Sequence, residues 1–438
     1  MAELRRTLGL WGAAGVGIGA IIGTGIFVLI GVASGLAGPA VILSFIIAGF
    51  VALLTGLSTA ELSSFIHEAG GSYIYTTKAF GTFPGFVVGW MKSFDYIVGA
   101  SAVSIGFAAY FTYFVHIPAA TATLVIIATL WPLILMLVNL KGMSEASGTN
   151  NILVALKISA LVIFIVVGAS ALISGGNYSN YHPFFPTGIS GVMSGAAIIF
   201  FAFIGFNTIA IIAEEVKEPE KNVPKAILIA FGICTILYIG VSVVAVGLLN
   251  WTILGTSGAP LELALNAATG NVFILEFVAI SALFATTSVI MASIMGGSRA
   301  LFAMARQGVL PKSLATISRQ SVPLFTILLC GIFISGIVLL TNGNLDWLAS
   351  LFNFGTLLTF FFINLSLLKL RRTMPDAKRG FKVPFYPYTP VFGMISCIFL
   401  AFYLNSNAVL TAFLFLIVGI IVYVLNKKLT ARTESAIS

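Results

Sequence analysis

Apolar residues in this chain come in long runs separated by short polar stretches, and the pattern repeats from about residue 8 to residue 426. A helix needs about 20 predominantly apolar residues to cross about 30 Å of hydrocarbon. A transmembrane barrel would show period-two alternation in segments of about ten residues, which this chain lacks. Helices are the remaining way to satisfy backbone hydrogen bonds inside a bilayer. Read between its polar and Gly/Pro punctuation, the sequence predicts twelve spans, at 8–34, 39–65, 84–115, 119–140, 150–174, 189–214, 224–249, 272–305, 322–341, 346–370, 387–404 and 407–426. The first follows Arg5 and Arg6 but is too long for a signal-peptide core and has no convincing cleavage site, so it is read as retained.

Composition agrees with this reading. Hydrophobic residues make up 59% of the 438 and charged residues 8%, against about 25% charged in soluble domains. The loop charges then set an orientation, because Lys and Arg collect on the cytoplasmic side. With the N-terminus inside, the inner segments hold Lys78, Lys141, Lys217, Lys221, Lys225, Arg306, Lys312, Arg319 and the cluster from Lys369 to Lys382. The opposite loops, 35–38, 116–118, 175–188, 250–271, 342–345 and 405–406, contain neither Lys nor Arg. Both termini are expected on the cytoplasmic face of a cell membrane. The net charge of +8 follows from topology and does not point to nucleic acid. Cys234, Cys330 and Cys397 fall inside apolar spans at no metal-ligand spacing and are expected to be buried packing residues. Asn177 and Asn250 open glycosylation-type triplets in outer loops, a weak signal.

Within the first span, GAIIGTGIFVL places Gly23, Thr24 and Gly25 mid-membrane. Glycine costs about 1 kcal/mol relative to Ala in a helix interior, and an unwound backbone facing lipid strands polar groups at several kcal/mol each. Such a break is tolerable where it lines a cavity. Span 6, with IIFFAFIGFN, carries Gly205 at a matching position five spans later. An odd number of spans per unit makes two units inverted in the membrane, and paired glycine interruptions point to a transporter binding site at the midplane. Residues 8–174 are then one repeat, 189–370 the second, and 387–426 two added helices, all in one membrane domain. Amides opening the outer half-helix suit a carboxylate, and carbonyls ending the inner half-helices suit an ammonium group. A ligand carrying both is an amino acid. The competing reading is that Gly15, Gly17, Gly19, Gly23 and Gly25 allow close helix packing, and Gly15 and Gly19 have the small-xxx-small spacing.

Ionisable residues inside spans mark function by default. Lys157 sits inside span 5 with no acidic neighbour one turn away. Burial lowers a lysine pKa, so its amine suits a coupling proton; a fixed cation replacing sodium, or a side chain reaching the interface, are the alternatives. Asp95 in span 3 has Lys92 one turn before it, a structural pair unless it faces the cavity as a substrate or proton contact. Glu276 is expected at the outer interface, and Glu61 and Glu214 near inner ends, solvated or gating. His67, His116 and His182 are scattered over loops and there is no P-loop pattern, so no metal site, cofactor, enzyme activity or ATP use is expected.

Several stretches resemble the amino acid-polyamine-organocation transporters: GAIIGTGIFVLIG, ELSSFIHEAGGSYIYTTKAFG, FFAFIGFNTIAIIAEEVKEPEKNVPKAI, SRALFAMARQGVLP and RGFKVPFYPYTP. The similarity runs over most of residues 8–404 and is nearest the cationic amino acid transporter branch and its prokaryotic relatives. The resemblance implies an all-α fold of the leucine-transporter type, a 5+5 inverted repeat with discontinuous helices 1 and 6. It implies that Gly23, Thr24 and Gly25 meet the substrate carboxylate, that carbonyls of Ile21, Phe201 and Ile204 meet the ammonium, and that Phe201 or Phe203 closes the outer side beside Gly205. Lys157 matches a lysine standing where related carriers bind sodium, which implies coupling to H+ rather than Na+. Asn207 stands where many relatives have a carboxylate and Asp95 where the cationic branch often has glutamate, which puts a basic substrate in doubt and makes a neutral one at least as fitting. The expected function is amino acid transport by alternating access, with loops 67–83 and 214–225 in the inner gate. Exchange and sodium symport, drawing on Thr286, Thr287 and Ser288, are the alternatives within the fold, and a non-transporting sensor is the alternative outside it.

Overall fold

A computed structural model describes residues 8–66, 68, 70–141, 147–175, 178–317 and 322–437. Arg5, Arg6, His67, Asn177 and Arg319 lie outside the described residues. In chain order the α-helices are α1 Leu10–Ile21, α2 Ile30–Ala37, α3 Val41–Ser63, α4 Ser72–Phe80, α5 Thr82–Phe114, α6 Thr121–Leu140 and α7 Ser147–Gly175. They continue as α8 Gly188–Ile199, α9 Asn207–Ile211, α10 Pro219–Leu248, α11 Trp251–Thr256, α12 Pro260–Ala268, α13 Val272–Arg306, α14 Leu324–Thr341, α15 Leu345–Thr373, α16 Tyr388–Ala401 and α17 Ser406–Ile437. Among the described residues the only β pairing is one bridge, Leu8 to Val216.

Among the described residues ten stretches are long and apolar enough to cross a membrane, the first running 54 residues from Leu10 to Ser63. That run turns at Gly38–Ala40, where Gly38 takes a positive φ of 65°. Its two arms, α1–α2 and α3, occupy the first two predicted spans. Helix α16 has 14 residues, about 21 Å at 1.5 Å per residue, short of a full crossing without its flanks. Helix α10 begins at Pro219, five residues before the predicted start at 224. The three short helices α4, α11 and α12 lie in stretches read as loops; each is amphipathic or brief and covers an end of the bundle.

The helices form two packed groups. One joins α1, α2, α3, α8 and α10; the other joins α5, α6, α13 and α14. Helix α15 lies between them, against α5 and α3, and α7 touches both. Among the largest enclosed side chains are Phe27, Tyr110, Phe200, Phe203, Phe206, Tyr238 and Phe360. Cys234, Cys330 and Cys397 are free and buried, as expected.

Candidate functional site

The α-helical ladder is interrupted in both glycine-bearing spans, and differently. In the first, α1 ends at Ile21, Ile22 is extended (φ −74°, ψ 100°), and the chain re-enters a helix at Thr24 as a π-helical turn, Gly25–Leu29, that leads into α2. In the second the backbone is not unwound: α8 tightens into a seven-residue 3₁₀ segment, Phe200–Phe206, then relaxes into α9. Sequence reasoning expected two unwound gaps; the second is overwound instead. Both π turns and mid-helix 3₁₀ stretches tend to mark functional hinges. Long 3₁₀ runs are uncommon because their hydrogen-bond geometry is poorer, so neighbours must hold this one.

The two interruptions touch each other through their glycines. A Cβ on Gly25 would fall 2.4 Å from Cα of Ala202, and a Cβ on Gly205 would fall 2.2 Å from the carbonyl carbon of Ala20. Each glycine therefore admits the other segment's backbone, which neither could do as alanine. A Cβ on Gly23 would stand 3.0 Å from Val289 of α13. The packing reading of the first span holds at Gly17, where a Cβ would meet Ile209 at 2.3 Å, and fails at Gly15, where nothing lies within 4 Å.

The carbonyls at the interruptions are held by side chains from other helices. Tyr238 of α10 donates its hydroxyl to Ile21 O at 2.8 Å and lies 3.2 Å from Ala202 O, tying both segments at one oxygen. Lys157 of α7 is 2% exposed, and its Nζ donates to Gly19 O at 3.0 Å. It does not reach out to the interface; it closes the carbonyl end of α1, where a cation is favoured by the helix dipole. Asn353 of α15 donates Nδ2 to Ala197 O and Ile198 O just ahead of the 3₁₀ stretch, and Tyr110 of α5 donates to Phe27 O in the π turn. Tyr238, Asn353 and Tyr110 were missed by sequence reasoning, since a lone polar tip in an apolar run looks like core.

Some polar atoms here are buried and have no hydrogen-bond partner among the described residues. These include Thr24 Oγ1, Asn207 Oδ1 and Asp95 Oδ1. Buried polar groups are nearly always satisfied, and exceptions call for an explanation. The first amides of the outer half-helix likewise lack acceptors within their own helix, and they begin at the same Thr24. Asp95 is fully buried against α15, accepting from Thr356 Oγ1 at 3.0 Å and pairing with Lys92 at 3.7 Å. The expected pair with Lys92 is present. Phe203 is enclosed by Phe45, Phe231 and Tyr238, whereas Phe201 stays partly accessible, its ring 4.3 Å from Phe352 at the seam between the groups. Of the two rings, Phe201 has surface to offer a ligand. Ile204 is buried at 9% exposure.

Residues 13–434 match the model of the family described as amino acid permease. The chain belongs to that family. The amino acid permeases are part of the wider amino acid-polyamine-organocation superfamily, so the resemblance in its motifs is a relationship. Among curated proteins, this permease is 34% identical to the branched-chain amino acid permease BcaP of Bacillus subtilis over 97% of this chain and 94% of that one. It is 35% identical to the methylthioribose transporter of the same species, again over 97% and 94%. Cationic amino acid transporter 7, chloroplastic, of Arabidopsis thaliana is 32% identical over 82% of this chain and 65% of its own. These matches indicate a transporter rather than an enzyme.

At the opposite end of α3 from the turn, Glu61 corrects an expectation. It is not solvated: its side chain is fully buried and accepts Arg371 Nε at 2.7 Å and Nη2 at 2.6 Å, and the Val383 amide at 2.6 Å. Arg379 Nε stands 3.3 Å from Oε1, a charge contact outside hydrogen-bonding geometry. Glu276 is exposed near the start of α13, as expected. The side chain of Glu214 lies outside the described residues, but its neighbours Glu215 and Lys217 pair by backbone with Leu8, joining the 214–225 segment to the start of α1.

Proposed function

We propose that this permease moves a neutral amino acid with an aliphatic side chain across a cell membrane by alternating access, without sodium, coupled to protons through Lys157. The observation that carries the reading is the meeting of two interrupted helices through Gly25 and Gly205, with Thr24 Oγ1 and Asn207 Oδ1 buried and unpartnered beside them. A zwitterion supplies what those atoms lack: its carboxylate takes the Thr24 hydroxyl and the first amides of the outer half-helix, and its ammonium takes Asn207 Oδ1 and the remaining lone pairs of the break carbonyls. Phe201 and Val289 present apolar surface to its side chain. A basic substrate is disfavoured because Asn207 brings no charge and Asp95 is already engaged by Lys92 and Thr356. The branched-chain relative points the same way.

The two helix groups support the 5+5 reading, in which twelve crossings comprise repeats at 8–174 and 189–370 plus two added helices. Spans 1 and 2 pack with 6 and 7, and 3 and 4 with 8 and 9, so four of the five repeat pairs have both members in one group, and the fifth, α7 and α15, contacts both groups. Both termini are cytoplasmic in this orientation. Sodium coupling would draw on hydroxyl oxygens of α13, and Thr287 already accepts from Trp131 Nε1.

Uptake into proteoliposomes tests this: leucine should accumulate with an inward proton gradient and be indifferent to sodium, with lysine a poor competitor. Uptake of methylthioribose without any amino acid would overturn the substrate, and a sodium requirement would overturn the coupling. Thr24→Val should weaken leucine binding about 10- to 100-fold, the ~1.5–3 kcal/mol of a hydrogen bond to a charged group. Lys157→Gln keeps a donor for Gly19 O; it should retain leucine counterflow and lose pH-driven accumulation. Accumulation that still follows pH would remove Lys157 as the proton carrier.

A further inference from the structure

On the face whose loops carry no Lys or Arg, α11 and α12 lie over the outer half of the first span. A Cβ on Gly31 of α2 would meet Leu254 O, Ser257 O and Pro260 Cβ at 2.7–3.2 Å, and α12 packs on the π turn, α7, α10 and α13. This cap carries Glu262, which is 1% exposed, with Oε2 unpartnered among the described residues. Its carboxyl lines a cavity of about 210 Å³ shared with Tyr113, Phe114, His116, Asn266, Leu275 and Glu276. Beside it, Tyr110 receives the Leu261 amide and donates to Phe27 O, so the cap and the π turn meet at one hydroxyl. A loop glutamate is normally solvated; here the packing of the cap removes it from water.

We propose that Glu262 is a proton-binding site of the outer cap: its carboxyl takes a proton from the cavity as the cap seats on the first span, and releases it when the cap lifts. An isolated buried carboxylate is costly, and such a group neutralises instead. Burial pushes the Glu262 carboxyl up from its ordinary 4.5 to about 8. No cation faces it. Helix α5 presents Tyr110 and Tyr113 with His116 beyond them, α13 presents Glu276, and α11 and the π turn present no titratable group. Cys234 and Tyr238 of α10 and Lys157 of α7 belong to the level of the interruptions. The neighbours that can carry charge close by are thus Glu276, which opposes ionisation, and His116.

The sign follows from linkage. The seated cap raises the pKa, so protonation favours seating; that contribution is whole below about 4.5, declines as pH rises, and is gone above about 8. Within this window the lifted population should grow about tenfold per pH unit. The site rests on the proposed transport cycle only in naming this face outer, and its test does not depend on orientation or substrate.

Hydrogen–deuterium exchange of residues 258–270 in nanodiscs, corrected for intrinsic rates across pH, reads the lifted population directly. Wild-type protection should fall with rising pH, by about tenfold per unit, and level off near pH 8. Glu262→Gln, neutral and of the same shape, should stay protected and flat. Glu276→Gln and His116→Asn should keep the wild-type slope; loss of the slope in either overturns the assignment, as does a persistent slope in Glu262→Gln. Infrared titration of the wild-type protein guards against a variant that fails to fold: without a protonated carboxylic band lost between about pH 6 and 9, the proposal falls.

Discussion

Glu61 and Glu262 are both buried, yet they sit at opposite ends of the molecule in opposite company. Glu61 has a two-pronged arginine, a second arginine and a backbone amide; Glu262 has an unpartnered oxygen and a cavity. The difference is in what each can hold together. A carboxylate with three donors fixes α3 to the end of α15 and to the segment before α16 in its ionised form. A carboxyl with none is held only while it is neutral. One end of the bundle is pinned by charge, and the other depends on a proton.

The largest effect expected from this contrast is at Glu61. Glu61→Gln leaves Arg371 and Arg379 facing each other around a neutral amide, and removing one partner from a buried pair costs about 3–5 kcal/mol. Its melting temperature in detergent should fall by several degrees or more; an unchanged melt would put the arginines in solvent. A smaller loss is expected for Arg371→Lys, which keeps the charge but gives up the two-pronged geometry with Glu61 and the stacking over Tyr386. Glu262→Gln should do the reverse of Glu61→Gln, raising the melting temperature at about pH 8 and leaving it nearly unaltered at about pH 5. The smallest effect is for Asn266→Arg. It places a cation four residues after Glu262 on α12, a spacing worth about 0.3–0.5 kcal/mol between exposed side chains on a helix. It should move the exchange transition of the cap to lower pH, making the outer end resemble the inner one; no movement would mean that the two side chains do not meet.

Much of the frame was legible in the sequence, because crossing a bilayer imposes a length and an apolar run that need no knowledge of neighbours. The span predicted at 84–115 is the helix Thr82–Phe114, and that at 272–305 is Val272–Arg306. The interruption at Gly23–Gly25 was legible because two glycines flank a threonine in mid-span and a matching glycine recurs five spans later. What stayed hidden depends on which residues face each other. Tyr238 and Ile21 are 217 positions apart, and Glu61 and Arg371 are 310 apart; no local pattern records such pairs. The second interruption was located but its form was not, because a mid-span glycine marks a break without saying whether the backbone there tightens or opens. Glu262 escaped notice because a charge in an outer loop is ordinary until a cap folds over it.

The reciprocal fit of Gly25 and Gly205 has a mechanical consequence. Each segment's backbone occupies the notch left by the other's missing side chain, and Tyr238 clasps both. Neither half of the pair can tilt without dragging its mate, so in the proposed transport cycle the two would turn together, as a yoked axle.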